Sequence, residues 1–233
     1  MSLLAGADTV DAWPIGSRTV DAQTEELRHA HDVLADWYAE RLVGLLESMP
    51  IERAVLDLFS ELTLAAGLGA EVADVGCGTG RLTPFLALRG LAPRGVDLSP
   101  GMIEVARRDH PAFPFEVADL RDLPFPDASL AGVVCWYSLI FLAPPARTVA
   151  FAELARVLQP GGYLVAAFKD GDGQHRRGGR SAGLGVEFDS YWLSAREMLD
   201  LAAGAGLDLV FHGSRPPEES ETCPQGYLLL RKA

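Results

Sequence analysis

The sequence is short of cysteine, of basic residues and of long apolar runs, and each shortage removes a class of protein. Its 233 residues hold three cysteines, Cys77, Cys135 and Cys223, widely spaced and without a CxxC pair. That argues against a disulfide framework and fits a reducing, cytoplasmic compartment. No Cys or His pair stands at ligand spacing, so no metal is expected. Lys and Arg number 20 against 32 Asp and Glu, a formal charge of -12. A phosphate backbone would meet a repulsive field in place of counterion-releasing cations, so nucleic acid is not an expected partner. The longest apolar stretch, Leu130 to Ala143, falls short of the roughly 20 residues that cross a bilayer and ends in Pro144 and Pro145. No membrane span is expected. Met1 to Asp8 lack a basic segment and a full apolar segment, which predicts no secretion signal.

What is present is an ordinary globular composition, 48% hydrophobic and 22% charged, from which one α/β domain with helical additions is expected. Residues 1–20 mix Gly, Pro and polar side chains and are expected to be flexible. From Asp21 to Met49 apolar residues recur at helical spacing (Leu27, Val33, Leu34, Trp37, Leu42, Leu45, Leu46), and Pro50 opens a second helix. The remainder alternates: strand 71–75, helix 80–89, strand 93–97, helix 100–108, strands 113–117 and 130–136, helix 145–157, strand 162–168. Such alternation predicts a parallel sheet covered on both faces. Lys169 to Gly185, rich in Gly, Asp and Arg, is expected as a surface loop or lid. Ser194 then caps a helix to Ala203, and strands 207–212 and 226–231 complete the sheet.

The sharpest local signal is Glu71-Val72-Ala73-Asp74-Val75-Gly76-Cys77-Gly78-Thr79-Gly80-Arg81, a buried strand running through alternating glycines into a helix. A nicotinamide or flavin fingerprint needs GxGxxG, and its third glycine would fall where Arg81 stands. The plain alternative, a tight turn without a ligand, leaves three alternate glycines unexplained. Asp74, a carboxylate at the mouth of that turn, repels a pyrophosphate and attracts an ammonium or a sulfonium. About twenty residues on, Asp97 ends the next strand in Gly95-Val96-Asp97-Leu98-Ser99-Pro100, where a carboxylate can accept from ribose hydroxyls. Its alternative is an N-cap for the following helix.

These motifs resemble the class I S-adenosylmethionine-dependent methyltransferases, in particular the small-molecule branch related to quinone-pathway C-methyltransferases and antibiotic tailoring enzymes. The resemblance runs from about Tyr38 to the C-terminus. It implies a Rossmann-like, doubly wound, mostly parallel seven-stranded sheet with an antiparallel last strand and N-terminal helical additions. It divides one methyltransferase domain into an N-terminal helical cap (21–66), a cofactor-binding core (67–168), a lid or substrate segment (169–193) and a C-terminal helix with strands (194–233). S-adenosylmethionine carries both cations that Asp74 would attract, and S-adenosylhomocysteine is the implied product. The resemblance gives Gly76, Cys77, Gly78, Thr79 and Gly80 the methionine end of the cofactor and Asp97, with Ser99 beside it, the ribose. Asp119, with Leu120, would meet the adenine amino group, and Leu98 and Met102 would lie on the adenine face. Tyr38 would close over the cofactor. Trp136 and Tyr137, after strand four, would line the methyl channel and face the sulfonium.

A catalytic base stays unnamed, because Tyr137-Ser138-Leu139-Ile140-Phe141-Leu142 lacks the histidine that some relatives carry there. Of the histidines, His29 and His31 on the first helix, His110 and His212 read as solvated or structural. His175, Glu187, Asp189 and Tyr191 are candidates for acceptor binding, and Arg176, Arg177 and Arg180 for an acidic acceptor. The implied partner is a small-molecule methyl acceptor, and the implied state a monomer or homodimer. Rival readings are an inactive cofactor-binding regulator of the same fold and a protein or peptide methyltransferase.

Overall fold

The computed structural model describes residues 20–219 and 221–233. The expectation of a flexible residue 1–20 segment therefore falls, but for Val20, outside the described residues. In chain order the elements are α1 (Val20–Leu42), α2 (Pro50–Ala65), β1 (Glu71–Val75), α3 (Thr83–Ala87), β2 (Ala92–Asp97), α4 (Pro100–Asp109), β3 (Phe115–Val117), β4 (Leu130–Trp136), α5 (Pro144–Val157), β5 (Leu158–Lys169), β6 (His175–Gly178), β7 (Phe188–Tyr191), α6 (Ala195–Gly204), β8 (Leu207–Arg215) and β9 (Gln225–Lys232).

Seven strands form one sheet in the order β3-β2-β1-β4-β5-β9-β8. The first five run parallel, and β9 lies antiparallel between β5 and β8. All seven residues of β4 are buried, as a strand covered on both faces requires. Its alternation sorts the core. Val133 and Cys135 pack on one face with Phe151 and Leu154 of α5 and Met198 of α6. Val134 and Trp136 pack on the other with Leu56 and Phe59 of α2 and Leu86 of α3. The chain steps outward from β1 to β2 and β3, then crosses to β4 on the other side of β1. Between β1 and β4 the connections diverge, which opens a crevice at the strands' carboxyl ends.

The helix expected from residue 80 begins at Thr83, because the left-handed Gly80 (φ 78°) still belongs to the turn. β5 begins at Leu158, four residues early, through a register shift against Leu130 and Gly132 of β4. The expected loop at 169–185 needs the larger correction. β6 lies within it and pairs antiparallel with β7, so that the segment folds as a hairpin. α1 is fixed over the crevice by Asp32, whose Oδ1 accepts from Ser99 Oγ at 2.6 Å and from the Gly101 N–H at 2.9 Å. Gly101 permits this approach, since a Cβ there would lie 2.9 Å from the Asp32 Cα.

Candidate functional site

β1 delivers Asp74 to the crevice and then turns. The Gly76 and Cys77 N–H groups donate to the Val96 carbonyl at 2.8 and 3.0 Å, which pins the turn to β2. Gly76 and Gly78 both hold positive φ, at 73° and 55°, a region in which side chains are strained. Asp97 finishes the turn: Oδ2 accepts from the Gly78 N–H at 2.8 Å and Oδ1 from the Ser99 N–H at 2.9 Å. Ser99 in turn caps α4, its Oγ accepting from the Met102 N–H at 3.0 Å.

These elements surround a cleft of about 380 Å³, within the size range of small-molecule pockets. Tyr38, Asp74, Gly76, Cys77, Gly78, Thr79, Asp97, Leu98, Ser99, Met102, Asp119, Leu120, Trp136 and Tyr137 all line it. Gly80 does not; a Cβ there would run into the Phe115 ring at 2.7 Å, so this glycine serves the packing of α4 and β3 beneath the turn.

Electrostatically the cleft is uneven. Asp74 is 1% exposed, and among the described residues its Oδ2 has no hydrogen-bond partner. Burial pushes its pKa up to about 7, against the pull of nearby Arg81, with Asp97 adding to the rise. Arg81 also lines the cleft, and burial lowers its pKa. No hydrogen bond or ion pair holds its guanidinium among the described residues. Asp97 is likewise raised by burial, with its backbone bonds and His31 opposing. Asp119 differs: burial works against ionisation, but Arg121 outweighs it and holds the carboxyl below its usual range. Arg121 grips Asp119 through its backbone N–H at 2.8 Å and its side-chain Nε at 2.9 Å, and also donates to Thr24 of α1 at 3.1 Å. The buried Cys77 thiol is pushed up and packs with Ile103 and Phe115.

Tyr137 has a left-handed backbone (φ 62°) without being glycine, a strain of the kind found at functional positions. Burial pushes its phenol pKa up, and the hydroxyl of Tyr227, which packs with Tyr137 around Trp136, donates to Glu52 Oε1 at 2.6 Å. Arg215 donates twice to that Glu52 oxygen, at 2.9 and 2.7 Å, and at 2.7 Å to Glu221. Glu52 and Glu221 reach the same cleft wall with both carboxylates engaged.

The hairpin candidates lie elsewhere. His175, Arg176, Arg177, Arg180, Glu187, Asp189 and Tyr191 are absent from the cleft wall. Arg177 joins Glu26 of α1 at 2.9 Å to Asp189 at 2.6 Å, His175 meets Asp189 at 2.8 Å and Arg180 meets Glu187 at 2.6 Å. Arg176 stacks over Trp192, 4.1 Å from its centroid. These charges bind the hairpin to itself and to α1. From this segment the wall receives Gly178, Gly179, Ala182, Phe188 and Ser190 instead.

Among the wall residues that the motifs leave without a role are Arg81 and His31. Arg81 counted only as a missing glycine. His31 passed as a helix-surface residue, although Leu27, His31, Leu34 and Tyr38 recur at helical spacing and share the face that meets the cleft. Among the described residues, no cluster of His, Cys, Asp and Glu has a metal-binding arrangement, and no helix is long and apolar enough to cross a membrane.

Residues 72–162 match the family described as Methyltransferase domain. The chain is 36% identical over 157 residues to trans-aconitate 2-methyltransferase of Methylobacterium nodulans, which covers 64% of this chain and 57% of that one. It is 38% identical over 151 residues to demethylmenaquinone methyltransferase of Tropheryma whipplei, covering 61% and 58%. The chain thus spans less than two thirds of these relatives' lengths. Magnesium protoporphyrin IX methyltransferase of Synechocystis PCC 6803, solved with S-adenosylmethionine bound, shares the fold with a TM-score of 0.67 at 17% identity, over 94% of this chain and 100% of that chain.

Proposed function

We propose that this chain, whose residues 72–162 match the family described as Methyltransferase domain, is a class I S-adenosylmethionine-dependent methyltransferase that moves a methyl group from that cofactor to a small-molecule acceptor. One observation carries the reading: among the described residues an Asp74 oxygen and the Arg81 guanidinium have no hydrogen-bond or ion-pair partner, and both line the cleft with the open Gly78 position. A zwitterionic amino-acid end answers both, its ammonium on Asp74 and its carboxylate on Arg81. Asp97 suits the ribose hydroxyls, and Leu98, Met102 and Leu120 an adenine face. Asp119, held by Arg121, offers its remaining acceptor capacity to the adenine amino group.

When bound, the cofactor supplies an electrophilic methyl on a sulfonium. The chain's part is to hold the acceptor in line and exclude water, a proximity effect worth in principle roughly 7 to 11 kcal/mol. Tyr137 and Trp136 supply the aromatic wall where the two ligands would meet. Trans-aconitate, demethylmenaquinone and magnesium protoporphyrin, named for the similar proteins, support a small acceptor. The test is formation of S-adenosylhomocysteine by the purified protein with a panel of quinols, phenols and carboxylic acids. The expected result is acceptor-dependent turnover that is lost in Asp97→Ala. Turnover only on added proteins would favour a peptide methyltransferase, and none on any acceptor despite tight cofactor binding would favour a regulator.

A further inference from the structure

α1, the segment after β4 and the β6–β7 hairpin enclose an aromatic chamber at one side of the cleft. The His31 ring stacks on Tyr38 at 5.9 Å with an interplanar angle of 9°, meets Phe141 edge-on at 5.0 Å and lies 4.9 Å from Phe188. Phe141 and Phe188 meet each other at 5.5 Å. Leu34, Ile140 and Ala182 add apolar wall. These rings give that side of the cleft an aromatic lining, against which an aromatic ligand can stack.

The hydrogen bonding of His31 fixes which nitrogen is free. Nδ1 lies 2.9 Å from the Leu27 carbonyl, and a carbonyl only accepts, so Nδ1 carries the proton. Nε2 then holds a bare lone pair, and among the described residues no hydrogen bond engages it. The other basic groups of the cleft are committed. Asp97 is engaged by two backbone N–H groups, Asp119 by Arg121, and Glu52 and Glu221 by Arg215. Asp74 sits at the glycine turn, on the cofactor's side. Among the described residues, His31 is the only imidazole on the wall.

We infer that the chamber takes a planar aromatic acceptor bearing a hydroxyl, and that His31 Nε2 is the base that receives the hydroxyl proton. The inference rests on the function proposed above and specifies its acceptor. In the step, the acceptor O–H bond breaks and its proton bonds to Nε2. The oxygen forms the new bond to the methyl carbon as the sulfonium C–S bond breaks, its electron pair staying on sulfur. The imidazolium returns its proton to water after product leaves. Burial keeps His31 neutral by lowering its pKa, with Asp97 and Asp32 opposing. The hairpin's Asp189, Glu187 and Arg177 are engaged in their own ion pairs, and residues 139–143 carry no titratable side chain.

The test begins by saturating the protein with S-adenosylhomocysteine and following that binding calorimetrically, which checks the underlying reading by itself. The saturated protein is then titrated with 2-naphthol and with 2-methoxynaphthalene, for wild type and for His31→Phe, which keeps a ring against Tyr38, Phe141 and Phe188. Nitrogen NMR of labelled wild-type histidine reads the tautomer. The expected results are a proton on Nδ1, a shift of the Nε2 resonance on adding 2-naphthol, and about tenfold weaker 2-naphthol binding in His31→Phe with the methoxy probe unaffected. The inference is overturned if the saturated wild type does not bind 2-naphthol, if His31→Phe binds it equally well, or if the proton resides on Nε2. Failure of S-adenosylhomocysteine to bind in the first titration would instead overturn the function on which the inference rests.

Discussion

A Cβ at Gly76 would sit 2.3 Å from the Ser138 Cβ, whereas one at Gly78 would meet nothing within 4 Å, although both residues hold positive φ. The two glycines therefore answer to different demands. Gly76→Ala should lower the melting temperature distinctly, through a collision on top of backbone strain. Gly78→Ala should cost about 1 to 2 kcal/mol of stability from strain alone yet weaken S-adenosylmethionine binding, because its methyl enters ligand space. Thermal melts with and without cofactor separate these outcomes. Arg81→Met carries a sharper expectation: weaker S-adenosylhomocysteine binding by about tenfold or more, with 5′-methylthioadenosine, which lacks the amino-acid end, bound as before. Equal losses for both ligands would remove Arg81 from the carboxylate. Asp74 gives a pH dependence. Its folded-state pKa is raised to about 7, so its contribution to stability is fully present below the usual carboxylate range and is lost as pH rises through about 7. A cationic ligand prefers the ionised carboxylate, so cofactor affinity should climb between about pH 5 and 7 with proton release. Calorimetry in buffers of different ionisation enthalpy would detect the released proton.

α1 and the β6–β7 hairpin are the elements that cover the crevice of the nucleotide fold, and they are held to each other both by ion pairs and by a buried apolar cluster of Ala30, Leu34, Val186 and Phe188. Arg177→Ala would leave Glu26 and Asp189 without their shared cation. Hydrogen exchange in β6 and β7 should then accelerate while β4 and β5 stay protected; uniform protection would show that the aromatic contacts suffice. The core elements were legible because their signals are local: apolar runs bounded by Gly and Pro mark every strand of the large sheet, and Ser194 marks its helix as an N-cap; the cap of α4 is Ser99, not Asp97, which the alternative reading offered. The hairpin was not legible. His175-Arg176-Arg177-Gly178 has no alternating apolar pattern, and its pairing with Phe188–Tyr191 and its ion pair to α1 join residues distant in the chain, which only three-dimensional proximity creates.

At the scale of the whole molecule, Glu52 of α2, Arg215 of β8 and Tyr227 of β9 join the N-terminal helices to the end of the sheet. Arg215 is 5% exposed and Glu52 2%. Arg215→Met would strand the buried Glu52 carboxylate and the partly buried Glu221 and should lower unfolding free energy by about 3 to 5 kcal/mol, read by urea denaturation. This network, like His31, escaped sequence reasoning because its members lie far apart in the chain and each resembles an ordinary surface residue. The glycine turn, Asp97 and the residues after β4 were readable because the fold brings strand ends together by a rule the alternation already states. All of these lines meet in the claim that the cleft holds S-adenosylmethionine, and calorimetric titration of the purified protein tests it most directly. Wild type should bind one equivalent, and Asp97→Ala, still folded by circular dichroism, should bind at least about tenfold more weakly. Folded wild-type protein that takes up no S-adenosylmethionine would contradict the account.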